Sequence, residues 1–354
     1  MRVVVLGAGR VGSLIARELS KLFEVTVVDL DKRKLEALGR EVATLSMDVS
    51  SEDKLVEVVR GYELVVDALP GSLGLRVLRA CVRGRKDLVD VSFMPEEVLT
   101  MKEDVFSAGI TAVVDAGFAP GLSNMMVGRA LADFGYLDSV EINVGGLPKT
   151  PKPPLYHMVL FSVRDLIDEY LRPARMIREG RLVYLDPLSV VEKVSITGFE
   201  LERFPTDGLR TMLSTVGARN MVEYTLRWPG HLERMRVLKE LGFFSKDNLE
   251  RTIQTIAPHM TYEGEDMSLM EVVIRYGNKE VRYLLYDEAV GGDTSMARVT
   301  GYTATYIAHL LARGKVERGL IPPEHLGTRQ DTFNYVVENL RSRGVRIEQK
   351  VTYP

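Results

Sequence analysis

Three glycines near the start of the chain have the spacing of a phosphate-binding turn. Gly7, Gly9 and Gly12 form a G-x-G-x-x-G frame between a Val-rich apolar run and residues that repeat at helical spacing. A second apolar run follows and ends in Asp29. In a βαβ unit of this kind, the glycines let a pyrophosphate approach the helix N-terminus, and the acid accepts hydrogen bonds from a ribose. The pattern predicts a dinucleotide site.

The charge of Asp29 indicates which dinucleotide binds. A carboxylate beside the ribose repels a 2′-phosphate, so NAD is favoured over NADP. Arg10, Lys32 and Arg33 stand close by in the sequence, and a cation there could still hold a phosphate. The alternative to a binding site is a βαβ unit that only packs.

The alternation of short apolar runs and helical patterns continues through six predicted strands. This rhythm is typical of an α/β fold, here a Rossmann-type doubly wound parallel sheet over residues 1–121. Ligands of such sheets lie beyond the carboxyl ends of the strands. The predicted cofactor-binding residues at these ends are Gly7, Gly9, Arg10, Val11, Gly12, Asp29, Asp48, Leu69, Pro70, Ser92, Phe93 and Gly117.

The pattern changes after residue 121. Alternating apolar segments with long connections over 122–294 predict a second, mixed α+β domain. The segment GGLPKTPKPPLYH, near its start, is rich enough in proline to be extended and rigid. The apolar helical patterns over 295–354 predict a tail that returns to cover the first domain.

Composition restricts the class of protein. The 354 residues are 45% hydrophobic and 27% charged with a net charge of −3, and no basic block suggests a nucleic-acid partner. No apolar run has membrane-spanning length, the single Cys81 excludes an internal disulfide framework, and the histidines lack metal-ligand spacing. These features predict a cytoplasmic protein without a metal. The excess of Arg over Lys, with three Gln and seven Asn, hints at a thermophile.

Two residues are candidates for proton transfer. Asp115 follows the sixth predicted strand, where it could orient a substrate amine or take its proton; the alternative is a turn cap. His157 follows the proline-rich segment beside Tyr156, and histidine titrates near neutrality, so it is a candidate base or a structural histidine. The Ser92 hydroxyl could meet the substrate or the cofactor carboxamide, or lie in a plain turn.

Arginines supply candidates for binding a carboxylate. Arg164, Asp168, Arg172 and Arg175 have spacings of three and four, which predicts a shared helical face and a salt-bridged surface. One of these arginines could instead clamp a substrate carboxylate in a bidentate manner. The predicted substrate-binding residues are Ser92, Tyr156, Arg175, Thr206, Asp207 and Arg210.

Several segments together resemble the saccharopine dehydrogenase family, and especially its archaeal L-lysine 6-dehydrogenases. They are GAGRVG, DALPG, DVSFMPE, DAGFAPGLSN, GGLPKTPKPPLYH, RPAR, TDGLRTML, TLRWPGH and SMARVTGY, and they span nearly the whole chain. The resemblance implies NAD-dependent oxidative deamination of L-lysine at its ε-carbon, giving 2-aminoadipate 6-semialdehyde, ammonia and NADH. It also implies a homodimer, a site between the domains, and Arg175 as the carboxylate clamp.

One departure bears on the substrate. Saccharopine-forming relatives carry an acid in the loop before the Pro-Gly pair, where this chain has Ala119. The difference favours a lysine enzyme. The alternatives are a saccharopine or carboxynorspermidine dehydrogenase, and a non-catalytic protein that senses NAD.

Overall fold

The computed structural model describes residues 1–39 and 41–353, which form two compact units. The first unit comprises Met1–Arg129 and Ala297–Arg343, and the second comprises Ala130–Met296 and the residues from Gly344 on. The predicted boundary after residue 121 therefore falls eight residues later, inside a helix.

The strands in chain order are β1 (Arg2–Leu6), β2 (Glu24–Asp29), β3 (Ala43–Ser46), β4 (Leu64–Asp67), β5 (Asp87–Asp90), β6 (Thr111–Val113), β7 (Leu137–Pro148), β8 (Ala174–Arg178), β9 (Arg181–Leu185), β10 (Glu192–Ile196), β11 (Phe199–Pro205), β12 (Ala218–Arg227), β13 (Asp266–Tyr276), β14 (Lys279–Glu288), β15 (Gly319–Ile321) and β16 (Arg346–Thr352). The helices are α1 (Arg10–Leu19), α2 (Lys32–Ala37), α3 (Glu52–Arg60), α4 (Gly71–Gly84), α5 (Lys102–Ala108), α6 (Leu122–Phe134), α7 (Val163–Leu171), α8 (Met212–Thr215), α9 (His231–Glu240), α10 (Leu249–Met260), α11 (Ser295–Ala312), α12 (Pro323–Thr328) and α13 (Gln330–Ser342). Short 3-10 turns occupy Val98–Met101 and Pro187–Ser189.

The first unit is built on a seven-stranded sheet in the order β15-β6-β5-β4-β1-β2-β3, and every pairing in it is parallel. Its central strands are runs of Val and Leu that are almost wholly buried, as expected of a sheet covered on both faces. The predicted Rossmann-type α/β sheet is confirmed. The seventh strand, β15, comes from the C-terminal part of the chain and was not predicted.

Two helices of the first unit approach so closely that their backbones touch. A Cβ on Gly128 in α6 would lie 1.9 Å from the Glu324 carbonyl oxygen, and one on Gly327 in α12 would lie 2.0 Å from the Met125 carbonyl oxygen. Only glycine permits this approach. The contact fixes the C-terminal helices onto the segment that follows β6.

The second unit is a mixed nine-stranded sheet. Its main order is β10-β11-β12-β7-β13-β14-β16; β8 pairs with β12, and β9 pairs with β8. The β7–β12 pair is parallel and the other pairs are antiparallel. Helices α7, α9 and α10 contribute to an apolar core with Tyr170, Phe204 and Met235. The predicted mixed α+β domain is confirmed.

Two predictions about the chain path are wrong. The arginine segment is not one helix, because α7 ends at Leu171 and Arg172 is extended (φ −68°, ψ 123°) before a proline, which disfavours helix at the preceding residue. Arg175 consequently lies in β8. The predicted tail belongs to the first unit only as far as Arg343; from Gly344 it belongs to the second, where β16 pairs with β14 along seven residues.

Candidate functional site

The three glycines of the turn between β1 and α1 have different surroundings. Gly7 has φ +100°, and a Cβ there would lie 2.7 Å from the Ala68 carbonyl oxygen. A Cβ on Gly12 would lie 2.0 Å from the Gly7 carbonyl oxygen, so this glycine packs the helix against the turn. A Cβ on Gly9 would meet nothing within 4 Å. The open side of the turn is therefore at Gly9, the residue that is expected to face a pyrophosphate.

The N-terminus of α1 is built to receive an anion. Gly9 is the N-cap and supplies no side chain to the first N–H groups, and the first turn contains no acid. Arg10, which is exposed, and Val11 begin this turn. The positive end of a helix dipole favours a phosphate at such a terminus.

Asp29 is held in place at the end of β2. Its Oδ2 accepts a hydrogen bond from the Ala8 N–H at 2.7 Å, and its Oδ1 accepts one from the Asp31 N–H at 2.8 Å. Each carboxylate oxygen has a second lone pair, so the group remains able to accept hydrogen bonds from ribose hydroxyls. The residues of the turn and Asp29 fit a dinucleotide.

The other predicted cofactor residues lie at the same edge of the sheet. Asp48 follows β3, is exposed, and accepts a hydrogen bond from the Ser50 N–H at 2.9 Å, which lowers the pKa of its carboxyl. Leu69 and Pro70 connect β4 to α4, and Pro70 is the N-cap of that helix. A Cβ on Gly71 would lie 2.7 Å from the Ser92 carbonyl oxygen, so the turn after β5 rests on the start of α4.

Gly117 packs within its own loop. A Cβ there would lie 3.2 Å from the Pro120 carbonyl oxygen and 3.3 Å from the Thr300 methyl. Gly117 and Gly121 form a bridge, and the Asn124 side chain accepts a hydrogen bond from the Gly121 N–H at 3.0 Å. The loop is closed by internal contacts, and the crowding at Gly117 comes from protein atoms.

Backbone strain concentrates at predicted site residues. Seven described residues other than glycine have positive φ. Three belong to ordinary turns: a helix C-cap and the first positions of two Xaa-Gly hairpins, at Arg85, Glu179 and Thr197. The other four are predicted site residues: Phe93, Asp115, Tyr156 and Arg210, with φ of 51° to 55°. Strain of this kind is typical of functional positions.

In the second unit the structure joins three predicted residues in one group. Arg175 binds Asp207 in a bidentate manner, with Nε–Oδ1 at 2.6 Å and Nη2–Oδ2 at 2.9 Å. Arg210 Nη1 is 3.7 Å from Asp207 Oδ2, and Arg172 interacts electrostatically with both residues. Burial, then the charge of Arg210, lowers the pKa of Arg172. We call Arg172, Arg175, Asp207 and Arg210 the arginine cluster.

Thr206 lies next to the arginine cluster. Its hydroxyl is 2.8 Å from that of Thr225 on β12, and its N–H donates to the Glu223 carbonyl oxygen at 3.0 Å. The Glu223 carboxylate lies over Gly208, where a Cβ would be 1.5 Å from Oε1. A side chain at residue 208, in the turn that carries Asp207 and Arg210, would therefore displace the Glu223 carboxylate.

His157 lies beside a buried hydrogen-bonded chain. His231 Nδ1 is 2.6 Å from the Leu155 carbonyl oxygen, which can only accept, so Nδ1 carries the proton. His231 Nε2 therefore accepts from the Tyr170 hydroxyl at 2.8 Å, and the Tyr170 oxygen accepts from Arg227 Nε at 3.2 Å. Arg227 is in turn paired with Glu169. The donor and the acceptor of each hydrogen bond in this buried network are therefore fixed.

The environment keeps both histidines neutral. His157 is buried, and its ring centroid lies 5.0 Å from that of His231. Burial, followed by the charge of Arg227, lowers the pKa of His157 well below its usual value and that of His231 to about 3. Burial raises the pKa of Tyr170 to about 12. Tyr156 lies apart from this chain, with its ring 4.7 Å from the Arg234 guanidinium carbon.

Several buried polar residues were missed by sequence reasoning. In the second unit they are Tyr170, Arg227 and His231, together with the partly buried Glu169. The TLRWPGH segment was the only sequence signal for Arg227 and His231. In the first unit they are Asp67 and Asp90, which end β4 and β5. Among residues 1–39 and 41–353, no three His, Cys, Asp or Glu side chains are grouped to hold a metal, and no helix is long and apolar enough to cross a membrane.

Comparison with known proteins identifies the family. The family model described as "Saccharopine dehydrogenase NADP binding domain" matches residues 3–113, and "Saccharopine dehydrogenase C-terminal domain" matches residues 117–345. The chain belongs to the saccharopine dehydrogenase family. This oxidoreductase family uses a nicotinamide dinucleotide, which the glycine turn and Asp29 accommodate.

Relatives of the family differ in length and in substrate. The chain is 26% identical over 267 residues to the mitochondrial alpha-aminoadipic semialdehyde synthase of Bos taurus; the match covers 70% of this chain and 29% of that protein. The apo saccharopine dehydrogenase (L-Glu forming) of Saccharomyces cerevisiae has the same fold, with a TM-score of 0.80, 18% identity and 99% of both chains covered. The homospermidine synthase of Legionella pneumophila, in complex with NAD, aligns with a TM-score of 0.73 at 14% identity over 100% of this chain and 92% of that one.

The neutral histidines predict how stability depends on pH. Below about pH 6.5 the unfolded chain protonates His157 while the folded chain does not, so the free energy of unfolding falls by about 1.4 kcal/mol per pH unit for this group. His157→Gln should remove that contribution, so its urea midpoint should fall less between pH 7 and 5.5 than that of the wild type. Trp228, the single tryptophan, reports unfolding of the second unit.

The matched control is His325→Gln, at an exposed position. Its midpoint should follow the wild type at every pH. Parallel curves for His157→Gln and the wild type would contradict a buried neutral His157.

Proposed function

We propose that the protein is an NAD-dependent dehydrogenase that oxidatively deaminates L-lysine at its ε-carbon. The products are 2-aminoadipate 6-semialdehyde, ammonia and NADH. The observation that carries the proposal is the arginine cluster, in which the buried Arg210 and the partly buried Arg172 and Arg175 are suited to an amino-acid carboxylate. It lies within the domain that bears the family's second-domain motifs.

The three arginines of the cluster stand in different relations to Asp207. Arg175 occupies both oxygens of Asp207, whereas the 3.7 Å approach of Arg210 is an ion pair that is too long for a hydrogen bond. Each guanidinium has five N–H donors. We therefore assign Arg175 to fixing Asp207, and Arg210 with Arg172 to binding the α-carboxylate. This revises the clamp implied by the resemblance, which was Arg175.

The amine end of the substrate requires a neutral environment. A lysine ε-ammonium must lose a proton before Cε can give up hydride, which the nicotinamide accepts when bound. A neutral His157 can accept a hydrogen bond from the amine, whereas an imidazolium would repel the ammonium. The lowered pKa of His157 makes it a weak base, which leaves Asp115, held at φ 51° beyond β6, as the candidate to take the proton. Water then replaces the nitrogen and ammonia leaves.

The reaction is tested by following NADH absorbance with L-lysine, saccharopine, ornithine and cadaverine at alkaline pH. We expect the highest kcat/KM for lysine. Saccharopine carries three carboxylates and would require more cations than one carboxylate site supplies. A preference for saccharopine would support the other enzymes of the family and overturn the lysine assignment. Tight NAD binding with no turnover of any amine would indicate a sensor.

Arg210→Gln tests the carboxylate site. Loss of a charged hydrogen bond costs about 2 kcal/mol, so KM for lysine should rise about 30-fold while kcat changes by less than about threefold. The kcat/KM for cadaverine, which has no carboxylate, should stay at its wild-type value. Arg164→Gln is the matched control, because Arg164 is exposed on α7 and pairs with Glu250. An unchanged KM for lysine would remove Arg210 from the site.

We also propose that NAD is preferred over NADP because the Asp29 carboxylate stands where a 2′-phosphate would lie. Asp29→Asn keeps an acceptor for one backbone N–H but removes the charge. Its Kd for NADH, measured by fluorescence titration, should rise about tenfold while its Kd for NADPH falls. Asp31→Asn, in the same segment, should leave the ratio of the two Kd values unchanged. An unchanged ratio in Asp29→Asn would contradict the assignment.

We further propose a cytoplasmic homodimer that forms through the second unit. One face of its sheet carries partly buried aromatic side chains: Phe199 lies edge-on to Trp228 and stacked on Tyr286, each with ring centroids 6.1 Å apart. Such a patch on a sheet is suited to a second copy of the chain. Light scattering should give about twice the chain mass of 39.7 kDa, and Phe199→Glu should reduce it toward the monomer value. A monomeric wild type would contradict the proposal.

A further inference from the structure

Two buried aspartates end neighbouring strands at the cofactor edge of the first unit. Asp67 is the last residue of β4 and Asp90 the last residue of β5, and they are direct register partners in the parallel pair. Both are 0% exposed. Two adjacent carboxylates without solvent are costly unless something compensates their charges.

The two side chains make the same hydrogen bond. Asp67 Oδ1 accepts from the Leu69 N–H at 3.0 Å, and Asp90 Oδ1 accepts from the Ser92 N–H at 3.1 Å. The second oxygen, Oδ2, of each carboxyl has no hydrogen-bond partner among the residues that the structure describes. Two ionised carboxylates can only accept hydrogen bonds, so these neighbouring groups can bond to each other only if one of them carries a proton.

The neighbouring groups favour this protonation. Burial, and then the charge of Asp90, raises the pKa of Asp67 well above its usual range. Burial also raises the pKa of Asp90, but the hydrogen bonds it accepts from Ser92 offset part of the rise. From α4 the titratable group is Cys81, whose thiol pKa is raised by burial and by both carboxyls. From the segment after β6, the Asp115 N–H faces Asp90. These surroundings favour one proton on the pair over two buried negative charges.

The hydrogen-bonded turns are the ones that lead into the predicted cofactor residues. Leu69 precedes the N-cap of α4. A Cβ on Gly74 in the first turn of that helix would lie 2.2 Å from the Ser92 hydroxyl oxygen, so the turn after β5 lies directly against α4. Phe93, next in this turn, has φ 51°. A change in the aspartate pair would move both turns.

We infer that Asp67 and Asp90 share one proton and, through it, hold together the two turns that shape the dinucleotide-binding edge. They are positioning residues. Loss of the proton at alkaline pH leaves two buried negative charges side by side, and the turns separate. The inference rests on dinucleotide binding by the first unit and is independent of lysine as substrate.

The test is the Kd for NADH, measured by fluorescence from pH 6 to 10 on the full chain without an amine. The wild-type Kd should rise at least about fivefold toward the alkaline end, because the pair loses its proton there. Asp67→Asn replaces the shared proton with an amide N–H that does not titrate, so its Kd should vary less than about twofold over this range. Asp87→Asn, a control at the other end of β5, should follow the wild type.

A double variant separates a shared proton from two independent structural roles. Asp67→Asn and Asp90→Asn should each bind NADH at pH 7 within about threefold of the wild type, because one amide and one carboxylate still form the bond. In the double variant two amide donors face each other without an acceptor, and the Kd should rise at least about tenfold.

Three results would overturn the inference. One is an effect of the double variant equal to the product of the single effects. Another is parallel pH profiles for the wild type and Asp67→Asn. The third is loss of folding or of NADH binding at pH 7 in both single variants. None of these depends on whether lysine is turned over.

Discussion

Parallel pairing of β1, β4, β5 and β6 is the constraint on which the cofactor edge depends. It brings the carboxyl ends of strands that are far apart in sequence to one line, so that the glycine turn, Asp67, Asp90 and Asp115 follow each other across the sheet. Close backbone contacts then fix the position of the glycine turn, since Gly7 packs directly on Ala68. The same alignment that builds a phosphate site also forces two carboxyls together.

In the second unit, charged side chains in the interior are paired with side chains of opposite charge. Asp207 accepts hydrogen bonds from Arg175 on both oxygens, and Arg210 and Arg172 lie nearby, so three arginines gather at this carboxylate. Arg227, by contrast, is paired with Glu169, and burial together with the charge of Arg227 keeps His157 neutral.

Much of this was predictable where local pattern and tertiary packing agree. The Val-rich strands, the glycine frame and Asp29 were recognised because a doubly covered sheet needs continuous apolar runs. The helix through the arginine segment was wrong, because the proline after Arg172 overrides the spacing of charges. Asp67 and Asp90 were missed because an acid at the end of a strand looks like any turn residue until its neighbour across the sheet is known.

The sequence by itself determined the alternation of strands and helices, the phosphate turn and the family, because these rest on spacing along the chain. Only the tertiary structure decided which charges meet. Arg175 reaches Asp207 across 32 residues, His231 reaches Tyr170 across 61, and β16 completes the second sheet rather than the first. Electrostatic interactions act through space and depend on burial, so residue types alone could name the candidates but not their partners.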